Sequence, residues 1–218
     1  MCCRGAPDVD FYVVAFTDSP TKRRRLNGRS YQAISFGRLF AIGERRSSPP
    51  SPTDEELRHQ HEAVLRFAED LSAILPVRFG ALTSRAALAE MPPRLVQRLV
   101  DGLNEVRDRA QMTVRFVGDP RPAVPPARAG SGRDYLESRR AAMIPALPDD
   151  AEAWLRTLRS IAFKERLEPG VGSLLATAYH LVDKKNITRY LEAASGAAAA
   201  GGRVTGPYPP FAFTPSIL

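Results

Sequence analysis

The chain has 218 residues, 44% of them hydrophobic and 25% charged, with a formal net charge of +7. Such a composition belongs to a folded globular protein with a sizeable core and excludes a disordered or low-complexity chain. No run of about 18 apolar residues occurs, which excludes a membrane-spanning helix, and the two cysteines, Cys2 and Cys3, are adjacent and do not suit a staple between distant segments. The N-terminus has no apolar stretch of the secretory kind, so the reducing cytoplasm is the expected compartment. The charge is unevenly placed, with nine Lys+Arg against four Asp+Glu in residues 1–50. Lys22, Arg23, Arg24 and Arg25 head this excess, and Arg29, Arg38, Arg45 and Arg46 continue it. A basic patch of this kind can bind phosphates or an acidic partner, although a solvated loop between two strands is the plainer reading.

In chain order, residues 11–17 (FYVVAFT) are an apolar, β-prone run and predict a buried strand. The arginine-rich residues 21–30 are expected to be its loop. Residues 31–42 predict a second strand region with Gly37 as a bulge or bend. After a Ser/Pro linker at 47–52, Thr53 and Glu56 have capping-box spacing and open an amphipathic helix. Its predicted buried stripe is Leu57, His61, Val64, Leu65, Ala68 and Leu71. His59 and His61 lie about 200° apart on such a helix, so they do not form a metal site; His61 is expected to be partly buried and hydrogen-bonded. Residues 74–82 (ILPVRFGAL) alternate and predict a strand that presents Arg78 on one face, for an anion or a helix carboxylate. A short helix at 84–90 and a longer one opened by Pro92-Pro93 follow, and then a strand at 111–117. Residues 11–117 thus read as an α+β domain of split-βαβ type, behind a flexible N-terminus at 1–10.

Residues 118–132, rich in Pro and Gly, are the expected linker, and 133–218 the second α+β domain. In it a helix reaches Pro145, another starts at Asp149 or Asp150, a strand covers residues 174–182, and a further helix starts at Asp183. Residues 203–205 form the closing strand. The ending Gly206-Pro207-Tyr208-Pro209-Pro210-Phe211-Ala212-Phe213 then loses backbone donors to its prolines and predicts an extended, polyproline-like strap. Its Tyr208, Phe211 and Phe213 can each bury on the order of 150–250 Å², so the strap either packs the domains together or meets a partner.

Taken together, FYVVAF, HQHEAVL, ILPVRFG, SGRDYLESR, ATAYHLV and RVTGPYPPFAF, in this order and spacing, resemble the gas vesicle GvpF/GvpL family over most of residues 11–213. PVRFG and the Gly-Pro-aromatic-Pro-Pro-aromatic ending are the specific blocks; the KRRR run lies outside the pattern. The resemblance implies two α/β domains of modified ferredoxin-like character and a non-enzymatic, accessory or minor structural role in cytoplasmic gas vesicles. It also implies association with the very hydrophobic main shell protein and with other accessory proteins, and leaves F-type and L-type members equally open. Pro207, Tyr208, Pro209, Pro210, Phe211, Phe213 and Arg78 are the expected partner-binding or domain-locking residues.

An enzyme is not expected. The sequence has no nucleophile elbow, no P-loop, no dinucleotide fingerprint after a strand and no zinc spacing, so no catalytic residue, cofactor or metal is assigned. The carboxylates at 54–56 and 149–150 sit where helix dipoles explain them. The alternative reading is a nucleic-acid-binding or general interaction module built on Lys22 to Arg25, and nothing outside that run supports nucleic acid.

Overall fold

Strand β1 (Phe11–Thr17) is buried over its whole length, which requires cover on both faces of its sheet. The computed structural model describes residues 10–118, 131, 147, 149–196 and 201–215, and the statements below concern these. β1 is flanked by β4 (Leu39–Arg45) and β5 (Leu75–Pro76) in a sheet of order β2-β3-β4-β1-β5, with β2 at Arg24–Leu26 and β3 at Arg29–Phe36. β6 (Leu82–Thr83) also pairs with β1, and each of these pairings is antiparallel. Helix α1 (Asp54–Ala68) packs on β1, α2 (Arg85–Ala89) on β3 and α3 (Pro93–Val106) on β5.

Three local expectations are corrected here. The basic residues 21–30 are not simply a loop: β2 and β3 form a hairpin whose Asn27-Gly28 turn has φ of +50° and +78°. Both central residues with positive φ make the two-residue turn that Asn-Gly favours, so the signal stood in the sequence. Residues 31–42 are not one bent strand but most of β3 and the first part of β4, with the chain reversing at Gly37-Arg38. The predicted strand at 74–82 is interrupted. Val77 N–H donates to Val14 O and Val13 N–H to Ala81 O, both at 2.9 Å, while Arg78, Phe79 and Gly80 loop out between them.

In α1 the Thr53 hydroxyl accepts from Glu56 N–H at 3.3 Å, as the cap predicts. The buried face is Gln60, Ala63, Val64 and Phe67, turned by one residue from the predicted stripe. Leu57 is 43% exposed and His61 is exposed rather than partly buried. Gln60 takes the inward position because two buried polar groups need its amide, as the next subsection describes.

The second sheet has the order β10-β7-β9-β8, from β7 (Arg109–Val117), β8 (Lys164–Pro169), β9 (Leu174–Asp183) and β10 (Gly202–Tyr208). Helices α4 (Asp149–Arg159) and α5 (Ile187–Ala193) supply Leu155, Leu158 and Tyr190 to a core with Met112, Val114, Phe116 and Ala178. The strand expected at 111–117 therefore belongs to the second sheet, and the first domain does not extend to 117. One compact unit takes the chain up to Arg109 and again from Tyr208; the other runs from Ala110 to Pro207. Sequence periodicity fixes that 111–117 is a strand but not which sheet receives it. β8 was not foreseen either, because Lys164, Glu165, Arg166 and Glu168 hide the strand pattern at a sheet edge. The N-terminus at 1–9, the helix expected up to Pro145, the Ala197–Ala200 run and nearly all of the linker at 118–132 lie outside the described residues. The protein is of the α+β class, with two antiparallel sheets.

Candidate partner-binding surfaces

The C-terminal strap begins inside β10. Gly206 has φ +126°, and a Cβ there would stand 2.8 Å from Gln111 O, so the position excludes other residues. The Gly206–Pro207 peptide is cis. Pro209 and Pro210 are buried, while Tyr208, Phe211 and Phe213 are half-buried. The strap is bent rather than extended: Phe211 N–H donates to Pro209 O at 2.8 Å and Phe213 N–H to Pro210 O at 3.0 Å, making a single 3-10 turn. Proline removes a donor but keeps its carbonyl, and the two phenylalanine amides use those carbonyls. Phe211 lies parallel to His61, ring centroids 4.9 Å apart at 14°, and packs against the cluster of Tyr12, Val14, Val64 and Phe67. Next to Gly102, Pro215 fills the space that a side chain there would need.

Beneath the strap, a polar relay shapes the interrupted strand. The Tyr12 hydroxyl donates to Gln60 Oε1, and Gln60 Nε2 donates to Val77 O at 2.7 Å. Burial pushes the Tyr12 pKa up, so the hydroxyl remains a donor. The same hydroxyl receives Gly80 N–H at 3.4 Å, and the Phe79 ring meets Tyr12 edge-on at 6.1 Å. Arg78, at the outer tip, is exposed.

The basic segment is sorted by strand alternation. Arg24 faces α1, pairing with Asp70, donating to Arg66 O at 2.9 Å and lying 5.4 Å over the Phe67 ring. Arg29 grips Glu56 bidentately at 2.6 and 2.7 Å, and Arg46 adds a contact at 3.1 Å. The Arg29 hydrogen bonds, with help from Arg46, hold the Glu56 pKa down to about 2. Glu56 therefore serves the two guanidiniums instead of reaching back over the cap. Glu44 Oε1 lies 3.5 Å from Arg29 and 3.6 Å from Arg46. Burial and the nearby Glu44 carboxylate push Tyr31 up to about 12. On the other side of the hairpin, Lys22, Arg23 and Arg25 are exposed, and Arg23 Nε donates to Ser30 Oγ at 2.7 Å.

Over residues 11–215 the chain matches the family model described as "Gas vesicle synthesis protein GvpL/GvpF". The chain belongs to that family. The crystal structure of the gas vesicle protein GvpF from Anabaena sp. PCC7120 is similar with a TM-score of 0.69 at 11% identity, covering 95% of this chain and 98% of that one. That of GvpF from Microcystis aeruginosa gives 0.71 at 9% identity, covering 94% and 98%. At such identities the likeness to the two crystal structures is one of fold. No curated protein matches the chain.

Within this GvpL/GvpF-family chain, Phe211 is brought to the α1 face of the first unit, whereas Arg78 sits at a loop tip and Lys22, Arg23 and Arg25 on the hairpin surface. Sequence reasoning missed Gln60, Glu44 and the Arg29–Glu56–Arg46 cluster. Gln60 and Glu56 meet their partners 10 to 48 residues away, and Glu44 meets Arg29 15 residues away, so no local spacing announces these contacts. It also missed His180, which is fully buried with Nδ1 2.6 Å from the Tyr190 hydroxyl. Burial pushes the Tyr190 pKa up, so that hydroxyl stays protonated and donates to Nδ1. The ring proton then belongs on Nε2, which is buried and makes no hydrogen bond; it lies 3.6 Å from Glu165, whose carboxylate pairs with Arg159. With both rings enclosed by the core, this hydrogen-bonded pair joins α5 to β9 and offers no open face to a reactant.

Proposed function

We propose that the protein is a gas vesicle accessory or minor structural protein that binds the hydrophobic main shell protein and other accessory proteins, in the cytoplasm, and supports vesicle assembly. The family match over residues 11–215 carries this reading. Physical chemistry agrees with it. A shell monomer exposes a large apolar patch and will self-associate early unless something covers it. The half-buried rings of Tyr208, Phe211 and Phe213 lie on a folded unit and offer apolar area with little entropy left to lose. The role is non-enzymatic and needs no cofactor.

Co-expression with the main gas vesicle shell protein, followed by pull-down and sedimentation, tests the proposal. The intact chain is expected to hold shell protein in the soluble fraction. Phe213→Ser is expected to weaken that hold with its circular dichroism unchanged, if the strap is the contact. A chain ending after Thr205 is expected to lose it as well, and its circular dichroism tells whether the strap also braces the fold. Shell protein that pellets equally with and without the intact chain would overturn the reading.

A further inference from the structure

The two sides of the β2–β3 hairpin are not equivalent. Arg24, Arg29 and Arg46 spend their charge on Asp70, Glu56 and Glu44. On the opposite side, Arg23, Ser30, Gln32 and Arg45, with Glu44, line a cavity of about 310 Å³. The register explains the grouping: Arg25 pairs with Ser30 and Gln32 with Gly43, so Arg23, Ser30, Gln32 and Arg45 fall at adjacent positions across three strands. Among the described residues no carboxylate pairs with Arg23 or Arg45; Glu44 Oε1 lies 3.5 Å from Arg29 and 3.6 Å from Arg46, too far for a hydrogen bond but close enough for them to offset its charge. The cavity therefore carries two guanidiniums without a carboxylate partner, two neutral hydrogen-bonding side chains, and the Glu44 carboxylate, whose charge Arg29 and Arg46 offset. Among the described residues β2 is also an edge strand of its sheet, with no strand paired on its outer side.

We propose that this cavity is a docking site for an extended acidic segment of a partner protein, one carboxylate held by Arg23 and Arg45 and the chain laid along β2. Charge complementarity and the free edge both favour that occupant. Arginine forks match carboxylates bidentately, and strand addition supplies main-chain hydrogen bonds while alternate side chains reach one face. A nucleic acid fits less well. Arg23 and Arg45, even with the exposed Lys22 and Arg25, neutralise few phosphates, and no aromatic ring lines the cavity for a base to stack on. The site is independent of the shell-protein reading, and its test contains no shell protein.

Fluorescence anisotropy with a labelled short peptide of alternating Glu and Val tests it on the full chain. Saturable, salt-weakened binding is expected. The Arg23→Glu/Arg45→Glu double variant should lose roughly tenfold or more in affinity, and Arg45→Ala alone should lose less. Arg38→Glu, at the exposed β3–β4 turn, should change affinity by less than about twofold, since it alters net charge equally per site but lies outside the cavity. The matching Gln/Val peptide should not bind. The proposal is overturned by no saturable binding to the native chain, by equal binding of the Gln/Val peptide, or by an equal loss in Arg38→Glu. It is also overturned if an oligo-dT strand binds more tightly than the peptide and the double variant abolishes that binding.

Discussion

The Arg29–Glu56–Arg46 cluster of the first unit and the Tyr190–His180 pair of the second both bridge a helix and its sheet. They differ in what water can reach. Arg29, Arg46 and Glu56 keep part of their side chains exposed and are formally charged. His180 and Tyr190 are fully enclosed, and burial holds His180 neutral by pushing its pKa down. A charged network at the surface loses little when opened, because water replaces the partner. The neutral His180–Tyr190 pair inside the core loses both its packing and its hydrogen bond, with nothing to replace either.

The largest effect is therefore expected inside. His180→Ala leaves a cavity and an unpaired Tyr190 hydroxyl, and should cost about 3 kcal/mol or more in urea denaturation. Glu56→Gln strands two guanidiniums at a half-exposed site and should cost about 1–2 kcal/mol at neutral pH. A loss as large as that of His180→Ala would break the comparison.

The two networks also titrate in different windows. The folded pKa of His180 lies below its ordinary value of about 6.5, so the unfolded chain takes the proton first. Its contribution is complete above about pH 6.5 and declines as pH falls below that value. Glu56, held down to about 2, contributes fully above the ordinary carboxylate range near 4.5 and loses that contribution as pH falls through about 2. Denaturation midpoints measured from pH 8 to pH 3 should show a first decline that His180→Ala removes and a later one that Glu56→Gln removes. The smallest effect is expected at Arg24→Ala. Its Asp70 partner is 58% exposed, so the loss should stay near or below about 1 kcal/mol, most of it from the Phe67 face.

Much of the first unit was legible. The burial of β1, the Thr53 cap, the short helix after residue 84 and the Pro93 start of α3 all follow from local composition. The errors share a cause. The 3.6-residue stripe in α1 predicts Leu57 and His61 inward; the structure turns Gln60 inward because Tyr12 and Val77 need an amide there. His61 faces out and receives Phe211 instead. The strap's aromatics were legible as a packing or docking feature, but the bend at Phe211–Phe213 was not, since it depends on which proline carbonyls remain free.

The sequence by itself determined the family, the α+β class, most helix starts and the existence of the terminal aromatic strap. These rest on periodicity, caps and motif blocks, which are local properties of the chain. Only the tertiary structure decided that β7 joins the second sheet, that the strap returns to the first unit, and that Arg24 is spent on Asp70 while Arg23 is not. Each of those depends on desolvation and pairing between residues far apart in sequence. Such energies belong to the partners together and are written in neither stretch alone.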